Sequence, residues 1–474
     1  MNKENYTLLC DFYELTMANG YFLEEMEDQI CYFDVFFRDL PLDSGYAICC
    51  GLESIVNYIN NLHFSDEDIE FLRAKNIFDE RFLAYLCHFK FSGDIYAVKE
   101  GSVVFPHEPI LTVKAKAIEA QFIETYLLLA LNHQSIIATK ASRIVKASES
   151  RPVMEFGSRR AQGESAAIYG ARSAYIAGCV GSACTISDKL FKVNALGTMA
   201  HSWVQMFDSE YDAFMAYIKH YPNNAVLLID TYNVLHSGLK NAIKAFKDSG
   251  ITKGGVRIDS GDITYLSKKC RKILDEEGLT DIKIVISNSL DEYIISELLI
   301  QGAKIDSFGV GERLITAKND PVFGGVYKLC AIEKNGTIIP KIKVSENTSK
   351  ITNPGFKKVY RIYDKETNKA VADLICLHDE VFDETKELEI FDEHQVWKRK
   401  KLTNYYLKEL HQVIFKDGKQ VYQLPNIEEI KQYCHEEIDS MWDEVTRLIN
   451  PHEYYVDLSE KLHNLKYKMI KDSY

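Results

Sequence analysis

Six polar strings punctuate the middle of the chain, each after a short apolar run. They are EFGSRRAQG at 155–163, GTMAHSW at 197–203, IDTYN at 229–233, VRIDSGD at 256–262, ISNSLDE at 286–292 and FGVGERL at 308–314. In VRIDSGD, Asp259 and Asp262 flank a Ser–Gly turn beside Arg257. An inward guanidinium on an apolar strand needs an anion. Asp259 can accept hydrogen bonds from ribose hydroxyls. Asp262 suits either a helix cap or a magnesium shell, since magnesium takes a few carboxylates together with phosphate oxygens and water. In FGVGERL, Gly309 and Gly311 leave backbone amides open to an anion, and the helix that follows adds partial positive charge; the plainer reading is a tight turn. Leu314 breaks the dinucleotide fingerprint GxGxxG, and no GxxxxGK[ST] occurs, so any ATP is held by other means.

EFGSRRAQG supplies Phe156, Arg159 and Arg160. Adjacent arginines at a strand end suit phosphate or carboxylate through bidentate forks, or else form surface bridges. Phe156 suits a stack on an aromatic ring or a place in the core. Arg38, closing CYFDVFFR, is a further anion candidate. His201 follows a Gly–Thr turn, and the next apolar run ends in Asp230, a carboxylate able to fix an imidazole tautomer. With arginines and a glycine cradle nearby, phosphoryl transfer onto the ring enters the range of chemistry, although spacing alone does not establish it.

These strings need a scaffold that brings strand ends together. Apolar runs at 152–155, 178–180, 193–195, 225–229, 254–258, 282–286 and 305–308 read as buried strands. Helices are expected at 163–176, 203–220, 233–249, 262–277 and 290–300. The alternation is that of βα units, and their number favours a β/α barrel over a five-stranded open sheet. Loops after barrel strands form the active mouth. The chain is therefore expected to divide into an N-terminal α+β domain at 1–118, a catalytic barrel at 119–322, a β-rich return segment at 323–378 that completes the first domain, and a largely helical C-terminal extension at 379–474.

Composition narrows the class. The 474 residues are 46% hydrophobic and 26% charged, the proportions of a globular protein. A net charge of -13 spread along the chain argues against a general nucleic-acid binder. The odd count of 11 cysteines without a CxxC pair fits reduced thiols in a cytoplasmic protein. No run of 18 apolar residues suggests a membrane span.

Taken jointly and in order, DFYELTMANGYF, VFFR, EFGSRRAQG, ALGTMAHSW, IDTYN, GVRIDSGD, FGVGERL and GGVYKL resemble nicotinate phosphoribosyltransferases over essentially the whole chain. The resemblance implies an α/β fold: an irregular β/α barrel of the type II phosphoribosyltransferase kind, with an N-terminal α+β domain and a C-terminal extension. It implies transfer of phosphoribosyl from phosphoribosyl pyrophosphate to nicotinate, coupled to ATP hydrolysis through a phosphohistidine. Magnesium and ATP as co-substrate are implied, without a tightly bound organic cofactor, as is a homodimer sharing its active sites.

By the same resemblance, His201 is the phosphorylated histidine and Asp230 its orienting carboxylate. Arg257 and Asp259 hold the phosphoribosyl substrate. Gly309 and Gly311 cradle its 5′-phosphate, with Ser287 and Asn288 nearby. Phe156 stacks on one face of the pyridine, and Tyr13 of a partner subunit on the other. Arg159 and, less specifically, Arg160 meet phosphate or nicotinate, while Lys140 and Arg143 reach the pyrophosphate. One departure stands out: the chain reads GSAC at 181–184, where members often read GTSN and amide-using relatives carry an Asp. The missing Asp favours the acid over nicotinamide. Nicotinamide or quinolinate transfer, and a phosphate-binding barrel lyase, are the alternative readings.

Overall fold

The computed structural model describes residues 5–393 and 395–473. They divide into two compact units, one formed by residues 137–321 and the other by the chain before and after them. The long helix Glu124–Ala147 carries the chain from one unit into the other.

The unit at 137–321 is built on six parallel strands: β1 (Val153–Glu155), β2 (Gly181–Ser182), β3 (Val226–Leu228), β4 (Gly254–Ile258), β5 (Ile282–Ile286) and β6 (Ser307–Val310). From edge to edge they run β2, β1, β6, β5, β4, β3. This is chain order wrapped upon itself, because the last strand pairs with the first through Phe308 opposite Val153. Between β2 and β3 the ladder gives way to one bridge, Ser182 to Ala195, and to the Asn224 amide donating to the Gly197 carbonyl at 3.4 Å. That break makes the barrel irregular.

Helices close the outside because their apolar residues recur at helical spacing. Leu239, Ala242, Ile243 and Phe246 are the buried stripe of Leu239–Ser249. A Cβ on Gly238 would lie 1.9 Å from the Ile229 carbonyl oxygen, so only glycine lets this helix start so near the β3 end. Asp262 and Asp291 cap Ile263–Glu276 and Glu292–Ile300 by accepting from Tyr265 and Ile294 amides.

Three local expectations change. The run at 178–180 is not a strand, since Gly178 turns at a φ of +114° and pairing begins at Gly181. The run at 193–195 contributes the single Ala195 bridge. The helix expected over 203–220 is two, His201–Gln205 and Glu210–His220, because Ser209 caps the second by accepting from Asp212 N–H.

The other unit holds a seven-stranded sheet in which Ile30–Phe36 is central, pairing antiparallel with Leu111–Lys116 and with Val326–Lys334. Beside it stands a four-stranded sheet of Tyr405–Glu409, Lys357–Asp364, Ala370–Leu377 and Val456–Leu458. Residues 119–136, expected in the barrel, belong to this unit. The Thr125 amide and hydroxyl donate to Glu14 at 3.0 and 2.6 Å, and the Gln134 amide donates to Ser54 at 2.8 Å. The extension at 379–474 is not largely helical. Its first half is strands, and Tyr405–Glu409 and His411–Lys416 pair with Lys357–Asp364 and Asp94–Val98, so it is woven into both sheets. β-branched and aromatic residues such as HQVIFK favour that outcome.

A largely buried ionic network lies at the four-stranded sheet. Arg361, fully buried, donates to Asp373, to Glu437 and to the Val103 carbonyl at 2.6–3.2 Å. Tyr454 donates to Asp373 at 3.0 Å and Lys408 to Glu437 at 2.8 Å. Burial and the neighbouring Asp373 carboxylate push the buried Glu108 carboxyl well above the ordinary range, which favours its neutral form.

Candidate active site

Side chains alternate across β4, so Arg257 projects to the face opposite Val256 and Ile258, which are buried. Its Nε donates to Ser287 Oγ at 2.6 Å. Nη1 donates to Thr198 Oγ1 at 2.9 Å and to the Met199 carbonyl at 3.0 Å, and Nη2 donates to Asp259 Oδ1 at 3.3 Å. A guanidinium carries about five N–H donors. Most of them are thus spent tying the ends of three segments together, and one on Nη2 is left for an anion.

Asp259 completes the cluster. Its Oδ1 also accepts from Ser287 Oγ at 2.7 Å, while Oδ2 lies 3.9 Å from His201 Nε2. The imidazole is 41% exposed and the carboxylate 36%, so both are open to a ligand. His201 Nδ1 sits 3.1 Å from Thr231 Oγ1. Asp230, expected to orient the imidazole, instead accepts from the Asp259 amide at 2.9 Å and from Ser260 Oγ at 2.7 Å. It braces the loop that carries Asp259. Its other oxygen, Oδ1, is buried without a hydrogen bond. Thr231 and not Asp230 meets the ring, because the Asp230 carboxylate is taken up by the Asp259–Ser260 loop.

The ends of β1 and β6 meet beside one another. The Phe156 amide donates to the Val310 carbonyl at 2.7 Å. The Phe156 ring lies against Gly309, where an added Cβ would stand 2.6 Å from a ring carbon. Gly157 packs equally close, with a Cβ there 2.7 Å from the Gly311 carbonyl oxygen. The glycines of FGVG therefore let β6 pass close under the Phe156 turn. Glu155 is fully buried and accepts from the Gly157 amide and from Ser182 Oγ; burial pushes its carboxyl up from the usual range, against the pull of those two bonds. Arg159 and Arg160 lie on the exposed turn Ser158–Arg160. Asn288 is exposed, and its side-chain oxygen accepts from the Ser289 amide.

Other expected residues are not among the hydrogen-bond or ion-pair partners of this cluster. Lys140 and Arg143 are buried and share one carboxylate, Glu292, at 2.7 and 3.1 Å, inside the barrel unit. Asp262 is exposed and spends Oδ1 on its cap. Tyr13 and Arg38 belong to the other unit; Tyr13 is 43% exposed on the helix Phe12–Leu23. The sequence reading passed over Thr198, Thr231, Ser260 and Ser182. All four lie inside or beside the quoted strings, but loop hydroxyls are too common for residue type to mark them.

No group of three or more His, Cys, Asp or Glu side chains suited to a metal ion occurs among the described residues. Asp262 is exposed and uses only Oδ1 in its cap, which leaves Oδ2 as an oxygen of the kind a magnesium ion takes beside phosphate oxygens and water.

Known proteins similar to this chain come from one family and its fold. Residues 152–373 match the model described as the nicotinate phosphoribosyltransferase (NAPRTase) family. Residues 8–132 match that family's N-terminal domain and 356–466 its C-terminal domain. A nicotinate phosphoribosyltransferase from Bacillus subtilis (strain 168) is 42% identical over 471 residues, 99% of this chain and 96% of that protein. The crystal structure of human nicotinic acid phosphoribosyltransferase superposes with a TM-score of 0.85 at 25% identity, covering 98% of this chain and 100% of that one. Nicotinate-nucleotide pyrophosphorylase from Pyrococcus furiosus shares the fold, with a TM-score of 0.70 at 22% identity over 92% of this chain and 96% of that one.

Proposed function

The chain belongs to the nicotinate phosphoribosyltransferase family, and from that membership we propose that it transfers phosphoribosyl from phosphoribosyl pyrophosphate to nicotinate, with ATP hydrolysis through a phosphohistidine at His201. The observation that carries this reading is the convergence of His201, Arg257, Asp259 and Ser287 from separate loops into one open polar cluster.

In this reading the pyridine nitrogen attacks the anomeric carbon as the bond to pyrophosphate breaks. The transition state has oxocarbenium character. Phe156 orients the weakly nucleophilic ring. Asp259 holds the ribose hydroxyls, and the free N–H of Arg257 meets a phosphate oxygen. The amides at Gly309 and Gly311 receive the 5′-phosphate. Nicotinate is an anion approaching anions, so Arg159 or Arg160 offsets the repulsion. Asp259 and Asp262 are the carboxylates that would help hold a magnesium ion, which would supply neutralising charge for the leaving group.

With Thr231 Oγ1 accepting the Nδ1 proton, His201 Nε2 keeps its lone pair toward the cluster and takes the phosphoryl group from ATP. Hydrolysis of that phosphohistidine shifts the balance toward productive pyrophosphate release only through a difference in affinity between the two states. A homodimer in which Tyr13 reaches the partner's pyridine site completes the reading. Eleven free thiols accord with a reducing, cytoplasmic setting.

A competition assay tests the substrate: nicotinate, nicotinamide and quinolinate are supplied together with phosphoribosyl pyrophosphate, with and without ATP. Nicotinate is expected to be consumed preferentially, and faster with ATP. Preference for either other ring overturns the assignment. His201→Ala is expected to abolish ATP-dependent phosphoenzyme labelling while slow bond formation persists; undiminished labelling refutes the role of His201.

A further inference from the structure

Beneath the proposed pyridine site lies a buried carboxylate that the mechanism does not use. Glu155 is the last residue of β1, directly before Phe156, and is fully buried. Its two oxygens have different partners: Oε1 accepts from the Gly157 amide, and Oε2 accepts from Ser182 Oγ at 2.5 Å. Ser182 Oγ in turn accepts from the Cys184 amide at 2.9 Å. The Ala183 amide donates to the Glu155 backbone carbonyl at 2.8 Å. One residue thus ties the Phe156–Gly157 turn, at the end of β1, to the GSAC segment at the end of β2.

A buried carboxylate is costly, and it is kept where its acceptor bonds hold something in place. Glu155 holds two loops that need a common reference. The Phe156 ring lies against Gly309, so closely that a Cβ there would overlap it. A shift of the Phe156 backbone would therefore swing the ring off its plane. Ser182, 1% exposed, cannot meet a ligand through its spent hydroxyl, yet it sets the path of Ala183 and Cys184.

We propose that Glu155, acting through Ser182 and Gly157, is a positioning residue that sets the plane of Phe156 and the course of the GSAC loop, and so tunes recognition of the pyridine ring without touching it. This rests on the reading of Phe156 as the pyridine stack. A glutamine in place of Glu155 keeps the shape but replaces one acceptor by a donor, so that either Gly157 N–H or Ser182 O–H loses its partner. Small misplacements of a stacking surface are felt strongly in reactions that depend on orientation.

The test uses the full-length protein with nicotinate, phosphoribosyl pyrophosphate and ATP. Glu155→Gln is expected to raise KM for nicotinate about tenfold, while KM for phosphoribosyl pyrophosphate changes less than about twofold. Ser182→Ala is expected to shift the same constant in the same direction by a smaller factor, and Ser182→Thr, which keeps the hydroxyl, to restore part of it. The double variant Glu155→Gln/Ser182→Ala should cost less than the sum of the two single changes, since both disturb the Glu155–Ser182 hydrogen bond. Equal changes in both KM values, or none in either, overturn the proposal. If Glu155→Gln does not accumulate in folded form, the Ser182 pair decides by the same criterion. Failure of the functional reading is separable: it appears as absence of nicotinate-dependent pyrophosphate release in the unaltered protein.

Discussion

Arg361 and Arg257 both sit on strands and both hold a carboxylate, yet they do opposite work. Arg361 is sealed, with all its bonds going to Asp373, Glu437 and a backbone carbonyl, none of them exposed. Two cations, Arg361 and Lys408, balance two carboxylates there once Glu108 is neutral. Such a network holds a sheet together, and its energy is mainly the penalty of disturbing it. Arg257 is 13% exposed and gathers hydroxyls and a carbonyl as well as Asp259, which is 36% exposed. It leaves donors and acceptors facing solvent, where a ligand can take them. Lys140, Arg143 and Glu292 show that the first kind occurs in the barrel unit too. A cation near a catalytic string is therefore no evidence of catalysis until its partners are known.

That contrast can be broken at its strongest point by Arg361→Met. Removing the guanidinium leaves Asp373 in the core without a cation and Glu437 with Lys408 alone, and chemical denaturation is expected to show a loss of about 3–5 kcal/mol. A loss below about 1 kcal/mol would mean the network is wetter or more adaptable than its burial implies. Next in size, Asp259→Ala should lower kcat/KM for the phosphoribosyl substrate by about 100-fold, equivalent to about 2.7 kcal/mol, while the denaturation midpoint stays put. A fall in stability with unchanged kinetics would place Asp259 with the structural charges.

The smallest effect sharpens the buried side. Asp457 is 5% exposed, and burial first, then Asp392, raises its carboxyl from 3.8 to about 6. Across that interval the folded chain keeps a proton the unfolded chain has released. This group's contribution to stability is therefore present at low pH and is lost as pH rises through about 6. Asp457→Asn should be more stable than the parent by about 2 kcal/mol at pH 7 and no more stable at pH 4. Parallel stability curves across that range would show that Asp457 stays ionised in both states.

Much of the barrel unit was legible from residue order. GGVRI and IKIVI fall on strands at the residues expected, and Asp262 caps its helix as its place before an amphipathic run suggested. The break at Ser209 was harder to see because the apolar residues on either side share one helical phase. The extension at 379–474 misled because its polar surface hides strands whose partners lie far away, Lys357–Asp364 and Asp94–Val98. In the site, His201, Arg257, Asp259 and Ser287 were named beforehand and do meet. Thr198 and Thr231 were not, since nothing distinguishes their hydroxyls from those of other loops.

Residue order alone determined the local features: where most apolar runs fall, which Asp caps which helix, and which strings carry acid, base and anion-binding groups. Those depend on neighbours a few residues away. Tertiary structure alone decided the partnerships: Thr231 and not Asp230 on the imidazole, and Lys140 and Arg143 on a Glu292 some 150 residues distant. The physical reason is directional. Along a strand one step reverses where a side chain points, and past its end only the wrapping of the six-stranded sheet settles which side chains converge.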